Sequence, residues 1–327
     1  MVNFKVGSHL TIIFAFFLYY AFSKNKNKIS VKWLFSGLYI NVLAAMAQTL
    51  VPDLWGNLVG GYLISDFRAS IHDGRGAGGV NPEAGFLGAI IVGYLAMASY
   101  FLDTKRISLK YFLFNVFVGV SGILLSGSGT GFVLLVFWAG IVFLLSNIPI
   151  LLKICFIILS MLVAPLTIKL LGLDARGVDV IVRLMQEPQL FMLTDVSFLL
   201  RLLAFLAGPL SMLDGYIFGV GVGSFDHVAP TVISEHVAGF GSEEALYRIV
   251  EANGGSSALG RLICEMGLWA VILVSFLVLA SKLSRPCLPL VCFGFIFMSF
   301  SFSFSFPLTW MMLAFCNKSN SGKEDAI

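Results

Sequence analysis

The stretch GRGAGGVNPEAGFLG, residues 74–88, places an arginine and a glutamate just before a long apolar run. The guanidinium group of Arg75 can bind a phosphate or a carboxylate through two parallel hydrogen bonds, and it keeps its charge at any ordinary pH. The carboxylate of Glu83 can act as a general base if it is partly desolvated. It could equally stabilise the following helix by lying near its positive N-terminal end. The sequence leaves both interpretations of Glu83 open.

The composition indicates a membrane protein. Of 327 residues, 58% are hydrophobic and only 12% are charged, and the mean hydropathy is +0.93. Several segments reach the roughly 20 apolar residues with which a helix crosses a bilayer. Segments such as AGFLGAIIVGYLAMASYFL are apolar on every face, whereas the strands of a membrane barrel alternate. We therefore expect an all-α, polytopic integral membrane protein with about eight or nine transmembrane helices.

The apolar runs and their charged flanks predict the positions of the helices. The predicted spans are 6–22, 33–51, 84–102, 111–126, 131–146, 154–171 and 262–280, followed by a hairpin over 287–316 that turns near SFSFSFP. The first span has no small-residue cleavage site and is followed by lysines, so we expect a retained helix and not a signal peptide. Residues 197–212 are apolar but short, and they are predicted to form an interfacial or partly buried helix.

The distribution of positive charge predicts the orientation of the chain. Lysines cluster in parts that are therefore predicted to be cytoplasmic, namely residues 24–32, 103–110 and 281–285, Lys153 and the C-terminal tail. Within a single membrane domain, residues 1–327, this leaves a first large periplasmic loop at 52–83 and a second at 172–261. These two loops are where chemistry outside the membrane is expected.

Lysine and arginine are divided between the two sides. Ten of the twelve lysines lie in predicted cytoplasmic segments, whereas seven of the nine arginines lie in predicted outer ones. Orientation requires only positive charge, so the use of arginine outside favours bidentate binding of a diphosphate or a carboxylate. Alternatively, the outer arginines simply pair with the acidic residues of the same loops. The sequence does not decide between these two roles.

Several classes of function have no support in the sequence. Gly74, Gly76 and Gly79 match the spacing of a dinucleotide-binding turn, but no strand precedes them. No basic and aromatic run suggests nucleic acid, and dispersed histidines and cysteines predict no metal site. We expect neither a cofactor nor a metal. The predicted spans carry no charged residue at mid-depth, apart from Glu265 near an outer end, which disfavours an ion-coupled transporter.

Five pieces of the sequence, taken in order, resemble one family. They are RGAGGVNPEAGFLG (75–88), LLSGSGTGFVLL (124–135), RLLAFLAGPLSMLDGYIFGVGVGSF (201–225), LGRLICEMGLWAVI (259–272) and FPLTWMMLAF (306–315). From about residue 60 to 316, the chain is similar to the integral-membrane O-antigen polymerases, which are related to the O-antigen ligases. The resemblance implies a multi-pass glycosyltransferase of the bacterial inner membrane. Such an enzyme joins the repeat units of O-antigen, capsule or exopolysaccharide, which are carried on undecaprenyl diphosphate.

The resemblance also implies functional residues. Family members use arginines in the two large loops, and the spacing Arg68-x10-Gly79 matches a first-loop pattern of some members. Arg201 stands where the family keeps an arginine ahead of a glycine-rich turn, but the second-loop spacing R-x15-G is not met, because residue 217 is Ile217. The residues expected to bind substrate are Arg68, Arg176, Arg183 and His236.

The expected mechanism is electrostatic. Arg68, Arg75 and Arg201 would stabilise the negative charge that grows on the leaving diphosphate. Glu83 is the first choice for the base that takes the proton of the acceptor hydroxyl, with His236 and His227 behind it. The catalytic residues are thus expected to be Glu83, Arg75 and Arg201.

The expected partners follow from the same resemblance. They are the undecaprenyl-diphosphate-linked oligosaccharide, membrane lipids, and a chain-length regulator and flippase of the same pathway, but no nucleic acid. The alternatives are an O-antigen ligase, which transfers glycan to lipid A-core, and a polysaccharide or lipid transporter. Ligases of the superfamily carry a histidine where this chain has Ser256 and Ser257, so the polymerase is favoured.

Overall fold

The structure, a computed structural model, describes residues 6–55, 77–81, 84–145, 149, 196–236, 257–281, 283–300 and 306–317, with the backbone alone at 6–11, 53–54, 196–200 and 300. Within these ranges the chain is helical, as predicted, and forms no strand. The helices are α1 (Val6–Asn25), α2 (Val31–Leu50), α3 (Pro52–Trp55), α4 (Ala84–Asp103), α5 (Leu109–Ser126), α6 (Gly129–Leu145), α7 (Val196–Leu213), α8 (Phe225–His236), α9 (Ala258–Met266), α10 (Leu268–Ala280), α11 (Cys287–Phe300) and α12 (Pro307–Phe315).

Three of the described helices, α2, α4 and α5, are long and apolar enough to cross a membrane. Together with α1 and α6, they begin and end within three residues of the predicted limits. The predicted helix 154–171 lies outside the described residues. The predicted helix 262–280 is observed as two helices, α9 and α10, because the chain breaks at Gly267, whose φ is +54°. Of the predicted hairpin over 287–316, the structure describes α11 and α12, which pack against each other, whereas residues 301–305 of its predicted turn lie outside the described residues.

The chain forms two compact units. We call Ile29–Pro188 the α4 unit, and Met1–Lys28 with Gln189–Ile327 the α7 unit. The described helices of the α4 unit are α2 to α6, and those of the α7 unit are α1 and α7 to α12.

Helix α4 lies at the centre of its unit, packed against α2, α5 and α6. Small residues allow the close approach of α6, since a Cβ atom on Gly88 would lie 2.6 Å from the Cα of Gly131. The Trp138 indole N–H of α6 donates a hydrogen bond of 3.1 Å to the Ser99 hydroxyl of α4. Because lipid offers no hydrogen-bonding partner, such contacts and small-residue crossings are the usual means by which membrane helices associate.

The α7 unit has an apolar core formed by side chains of α1, α9, α10, α11 and α12, in which Trp310 is the largest buried side chain. At one end of this unit, three predicted cytoplasmic segments meet. The Lys26 ammonium group donates to the Asn317 carbonyl oxygen at 3.3 Å, and Asn317 also forms an isolated β-bridge with Ser281. In the α4 unit, the Arg106 guanidinium group donates to the Ile29 carbonyl oxygen at 3.4 Å, which joins the predicted cytoplasmic segments 24–32 and 103–110.

Candidate functional site

The structure describes two of the seven predicted site residues, Arg201 and His236, and both belong to the α7 unit. The other five lie outside the described residues, and their roles stay predictions. These five are Arg68, Arg75, Glu83, Arg176 and Arg183.

Arg201 lies in α7, with only 8% of its surface exposed. The sequence predicts a short interfacial or partly buried helix over residues 197–212, and α7 is observed there as one helix that continues through Pro209. Its contact with α9 is close, since a Cβ atom on Gly208 would lie 2.6 Å from the Gly260 carbonyl oxygen. The burial of Arg201 therefore results from α7 packing against neighbouring helices of its unit.

Residues 215–223, which we call the glycine-rich turn, connect α7 to α8. Four of their glycines have positive φ angles, from +87° to +96°, a conformation that only glycine adopts easily. The turn docks onto the end of α9, because the Val220 and Gly221 amides donate to the Cys264 and Glu265 carbonyl oxygens at 3.0 and 3.1 Å. The Leu268 amide in turn donates to the Ile217 carbonyl oxygen at 2.8 Å. The break at Gly267 thus supplies backbone groups that hold the turn in place.

Beneath this turn, α9 carries a partly buried ion pair. The Arg261 Nε atom donates to the Glu265 carboxylate at 2.9 Å, and the side chains of these two residues are 24% and 3% exposed. The Arg261 guanidinium group also lies over the Phe225 ring of α8, 5.9 Å from its centroid. The next residue of α8, Asp226, is 7% exposed. Because removing a charge from water costs several kcal/mol per ion, this concentration of buried charges on adjoining helices marks a candidate site.

We call Arg201, Asp226, Arg261 and Glu265 the charged cluster. Its members lie on three helices that pack against one another, α7, α8 and α9. Arg201 lies about one helical turn before Ala204 in α7. The Ala204 carbonyl oxygen packs against Gly260 of α9, which directly precedes Arg261. Both arginines are thus within about one helical turn of this contact. The cluster contains two guanidinium and two carboxylate groups. The two arginines could bind an anion, and Glu265 holds Arg261 in place through their ion pair.

The imidazole of His236 lies within hydrogen-bonding distance of the carboxylate of Asp214, which directly follows α7. Both side chains are partly exposed. Because Arg201 and Leu213 are twelve residues apart in α7, the Asp214 end lies about 18 Å from the Arg201 level along the helix axis. A single phosphate group is too short to bridge these two levels, so a ligand that contacts both Arg201 and His236 must be extended.

Ser257, one of the two serines at the ligase histidine position, has a structural role. Its hydroxyl accepts a hydrogen bond of 3.0 Å from the Gly260 amide, so it caps the N-terminus of α9. A cap of this kind stabilises a helix by about 1 kcal/mol. It orients the helix that carries Arg261 and Glu265.

Residues 77–81, the described part of the motif at 74–88 that precedes α4, belong to the α4 unit and lie between α2 and the end of α5. The Ala77 amide donates to the Leu125 carbonyl oxygen at 3.3 Å, and the Gly79 amide donates to the Gln48 side chain at 2.7 Å. The Asn81 side-chain amide donates to the Asn41 side-chain oxygen at 2.8 Å. The motif is therefore anchored by its middle residues.

Sequence reasoning does not single out Asp226 or Arg261, nor Glu265 as the partner of Arg261. The spacing of Arg261 and Glu265, four residues apart on one helix face, is a signal that can identify this pair. For Arg261, this ion pair agrees with the second role considered for the arginines of the predicted outer loops, which is to pair with acidic residues. Among the described residues, no group of histidine, cysteine, aspartate and glutamate side chains is arranged to hold a metal ion.

Comparison of the chain with protein-family models, curated proteins and solved structures finds no match in any of the three.

Proposed function

We propose that the chain is a multi-pass glycosyltransferase of the bacterial inner membrane, which polymerises oligosaccharide repeat units carried on undecaprenyl diphosphate. The observation that carries this proposal is the charged cluster, in which Arg201 and Arg261 lie in closely packed helices below the glycine-rich turn. Two guanidinium groups in a partly dry setting suit a doubly charged diphosphate better than they suit a neutral ligand.

In this proposal, the arginines act on the leaving group. As the bond between the sugar and its carrier breaks, negative charge grows on the diphosphate oxygen, and fixed guanidinium groups stabilise that charge. Glu265 holds Arg261 at 2.9 Å, so little reorganisation is needed when the charge develops. Loss of one such electrostatic contact typically slows a reaction by about 100- to 1,000-fold.

His236 and Asp214 are proposed to bind the glycan part of the same substrate. The distance of about 18 Å along α7 is too long for both ends of the helix to contact the diphosphate. Tyr216 and Phe218, which are exposed beside Asp214 in the glycine-rich turn, offer rings on which sugars can stack. The reaction also requires a base, and Glu83 stays the first sequence-based candidate for it.

The orientation of the chain is part of the proposal. The contacts of Lys26 with Asn317, and of Arg106 with Ile29, join segments that the positive-inside rule assigns to the cytoplasm. Within the α7 unit, the Lys26 contact supports an arrangement in which the glycine-rich turn and the charged cluster of that unit are on the periplasmic side. A number of spans near eight or nine stays the sequence-based expectation.

Deletion of the gene tests this function against its two alternatives. A polymerase deletion leaves single repeat units on their lipid carrier at the periplasmic face. Loss of a ligase would instead accumulate long polymer on the carrier, and loss of a transporter would leave repeat units on the cytoplasmic side. Either of these last two outcomes would contradict the proposal.

Substitution of Glu83 tests the proposed base. Glu83→Gln removes the proton acceptor while it keeps the size of the side chain, so we expect protein in the membrane but surface polysaccharide shortened to single repeats. Long chains made by this variant would remove Glu83 from the mechanism.

A further inference from the structure

The segment Ala77–Asn81 contacts α2 well inside the length of that helix. Asn41, which accepts the hydrogen bond from Asn81, is the eleventh of the 20 residues of α2. At a rise of 1.5 Å per residue, Asn41 lies about 14 Å from the Leu50 end of the helix. If α2 crosses a hydrocarbon core of about 30 Å, Asn81 therefore reaches nearly half of its depth.

The contact is closely fitted. Gly79 has a φ of +63°, and a Cβ atom on it would lie 3.1 Å from the Asn41 carbonyl oxygen and 3.3 Å from the Ala45 nitrogen. Ala77, Gly78 and Gly79 are all buried. A larger residue at position 79 would therefore push the segment away from α2.

Polar groups on both sides of this contact satisfy one another. Gln48 is only 3% exposed, and its side-chain oxygen accepts the Gly79 amide at 2.7 Å. Ala77 donates to the carbonyl group of Leu125, which lies in the last turn of α5, where carbonyl groups need partners from outside the helix. Non-helical backbone at membrane depth is tolerated only where protein or a water-filled cavity surrounds it. These contacts meet that requirement.

We propose that residues 77–81 form a re-entrant segment, which Asn41 and Gln48 hold inside the membrane, and that these two α2 residues are positioning residues for the motif at 74–88. Residues 77–81 thus lie inside the bilayer just ahead of α4. The positioning role of Asn41 and Gln48 in activity rests on the proposed function. The location of residues 77–81 inside the membrane does not.

Disulfide cross-linking tests the position. In a full-length chain whose five native cysteines are replaced, Asn41→Cys with Asn81→Cys should cross-link upon mild oxidation. Trypsin cuts after Arg68 and Arg75, between the two positions, so mass spectrometry can identify the linked peptides. The matched control pairs Ile40→Cys with Asn81→Cys, because Ile40 is next in sequence but exposed away from the contact. The control pair should cross-link at least tenfold less. Absence of the 41–81 link, or equal linking of both pairs, would overturn the proposal.

Fluorescence quenching tests the depth. A label on Ile40→Cys, which is exposed on α2, should be quenched more strongly by quenchers near the middle of the lipid chains than by quenchers at the headgroups. A label on Val51→Cys, just beyond the end of α2, should show the opposite preference. Stronger quenching of the Ile40 label at the headgroup level would show that the contact is not at membrane depth, which would overturn the re-entrant assignment.

Two substitutions of Gln48 test positioning. Gln48→Met keeps the approximate volume but removes the acceptor of the Gly79 amide, and polymer extension should fall by roughly tenfold. Gln48→Glu retains an acceptor oxygen and should restore most of the extension. Thr49→Val is the control, since the Thr49 hydroxyl bonds within its own helix. Normal extension in Gln48→Met, or equal loss in Gln48→Met and Gln48→Glu, would remove the positioning role. If the wild-type chain itself fails to extend repeat units, the proposed function fails, and the cross-linking result still decides the re-entrant segment.

Discussion

Three glycines of the glycine-rich turn allow the cost of backbone conformation to be separated from the cost of packing. Gly215, Gly219 and Gly221 have φ angles of +92°, +87° and +96°, so alanine is strained to a similar degree at each. They differ in their surroundings. A Cβ atom on Gly215 would meet nothing within 4 Å, and one on Gly221 would meet only the Ser224 hydroxyl at 3.7 Å. A Cβ atom on Gly219 would lie 2.6 Å from the Met266 nitrogen.

The expected magnitudes follow from these distances. Gly215→Ala and Gly221→Ala should each lower the free energy of unfolding by about 1–3 kcal/mol, the usual cost of holding a non-glycine residue in this region. Gly219→Ala should cost about 1–3 kcal/mol more, because the new methyl group overlaps backbone atoms that cannot rotate away. It should also displace the turn from α9, and so lower polymer extension far more than the other two substitutions.

Unfolding of the purified protein in lipid nanodiscs, followed by tryptophan fluorescence, measures these differences. The three variants should be compared at one lipid composition and one protein concentration. If Gly219→Ala is no less stable than Gly215→Ala, the turn does not dock onto α9 as described, and the argument from packing is refuted.

Further substitutions test other contacts. Glu265→Ala should lower the free energy of unfolding by about 3 kcal/mol, because Arg261 then loses its carboxylate partner in a partly buried place, and the same nanodisc measurement would count against the ion pair if stability were unchanged. Arg201→Lys should impair chain extension on a glycan gel if bidentate binding matters, and normal extension would reduce Arg201 to a point charge. Gly88→Ala should cost about 1–3 kcal/mol by separating α4 from α6, whereas Gly140→Ala, which meets nothing within 4 Å, should cost little. Equal stability of the two glycine variants would contradict the observed crossing.

The helices can be predicted from the sequence where one physical signal dominates. Continuous apolar runs bounded by charges place α2, α4, α5 and α6 to within two residues, because a helix satisfies all the backbone hydrogen bonds of such a run within the run itself. The break between α9 and α10 is not predicted, since the sequence EMGLW contains no proline and no charge beyond Glu265. Only the docking of the glycine-rich turn, through Ile217 and Leu268, explains why the chain bends at Gly267.

The candidate site is less predictable. Arg201 can be singled out because a lone arginine in an apolar segment is costly. Its neighbours cannot, because the meeting of α7, α8 and α9 depends on contacts between residues distant in sequence, such as Gly208 with Gly260. Similarly, Gln48 and Asn41 are ordinary polar residues in an apolar helix. Their contacts with residues 77–81 emerge only in three dimensions.

Reconstitution of the purified chain tests the central claim most directly. Liposomes containing the protein and repeat units on undecaprenyl diphosphate should yield a ladder of lengthening lipid-linked glycans and free undecaprenyl diphosphate, without added nucleotide. The ladder should be lost in Arg201→Met and retained in Gly140→Ala. If the wild-type protein yields no glycan longer than one repeat, while the same units move across the bilayer, the chain is a transporter and the proposed polymerase function is contradicted.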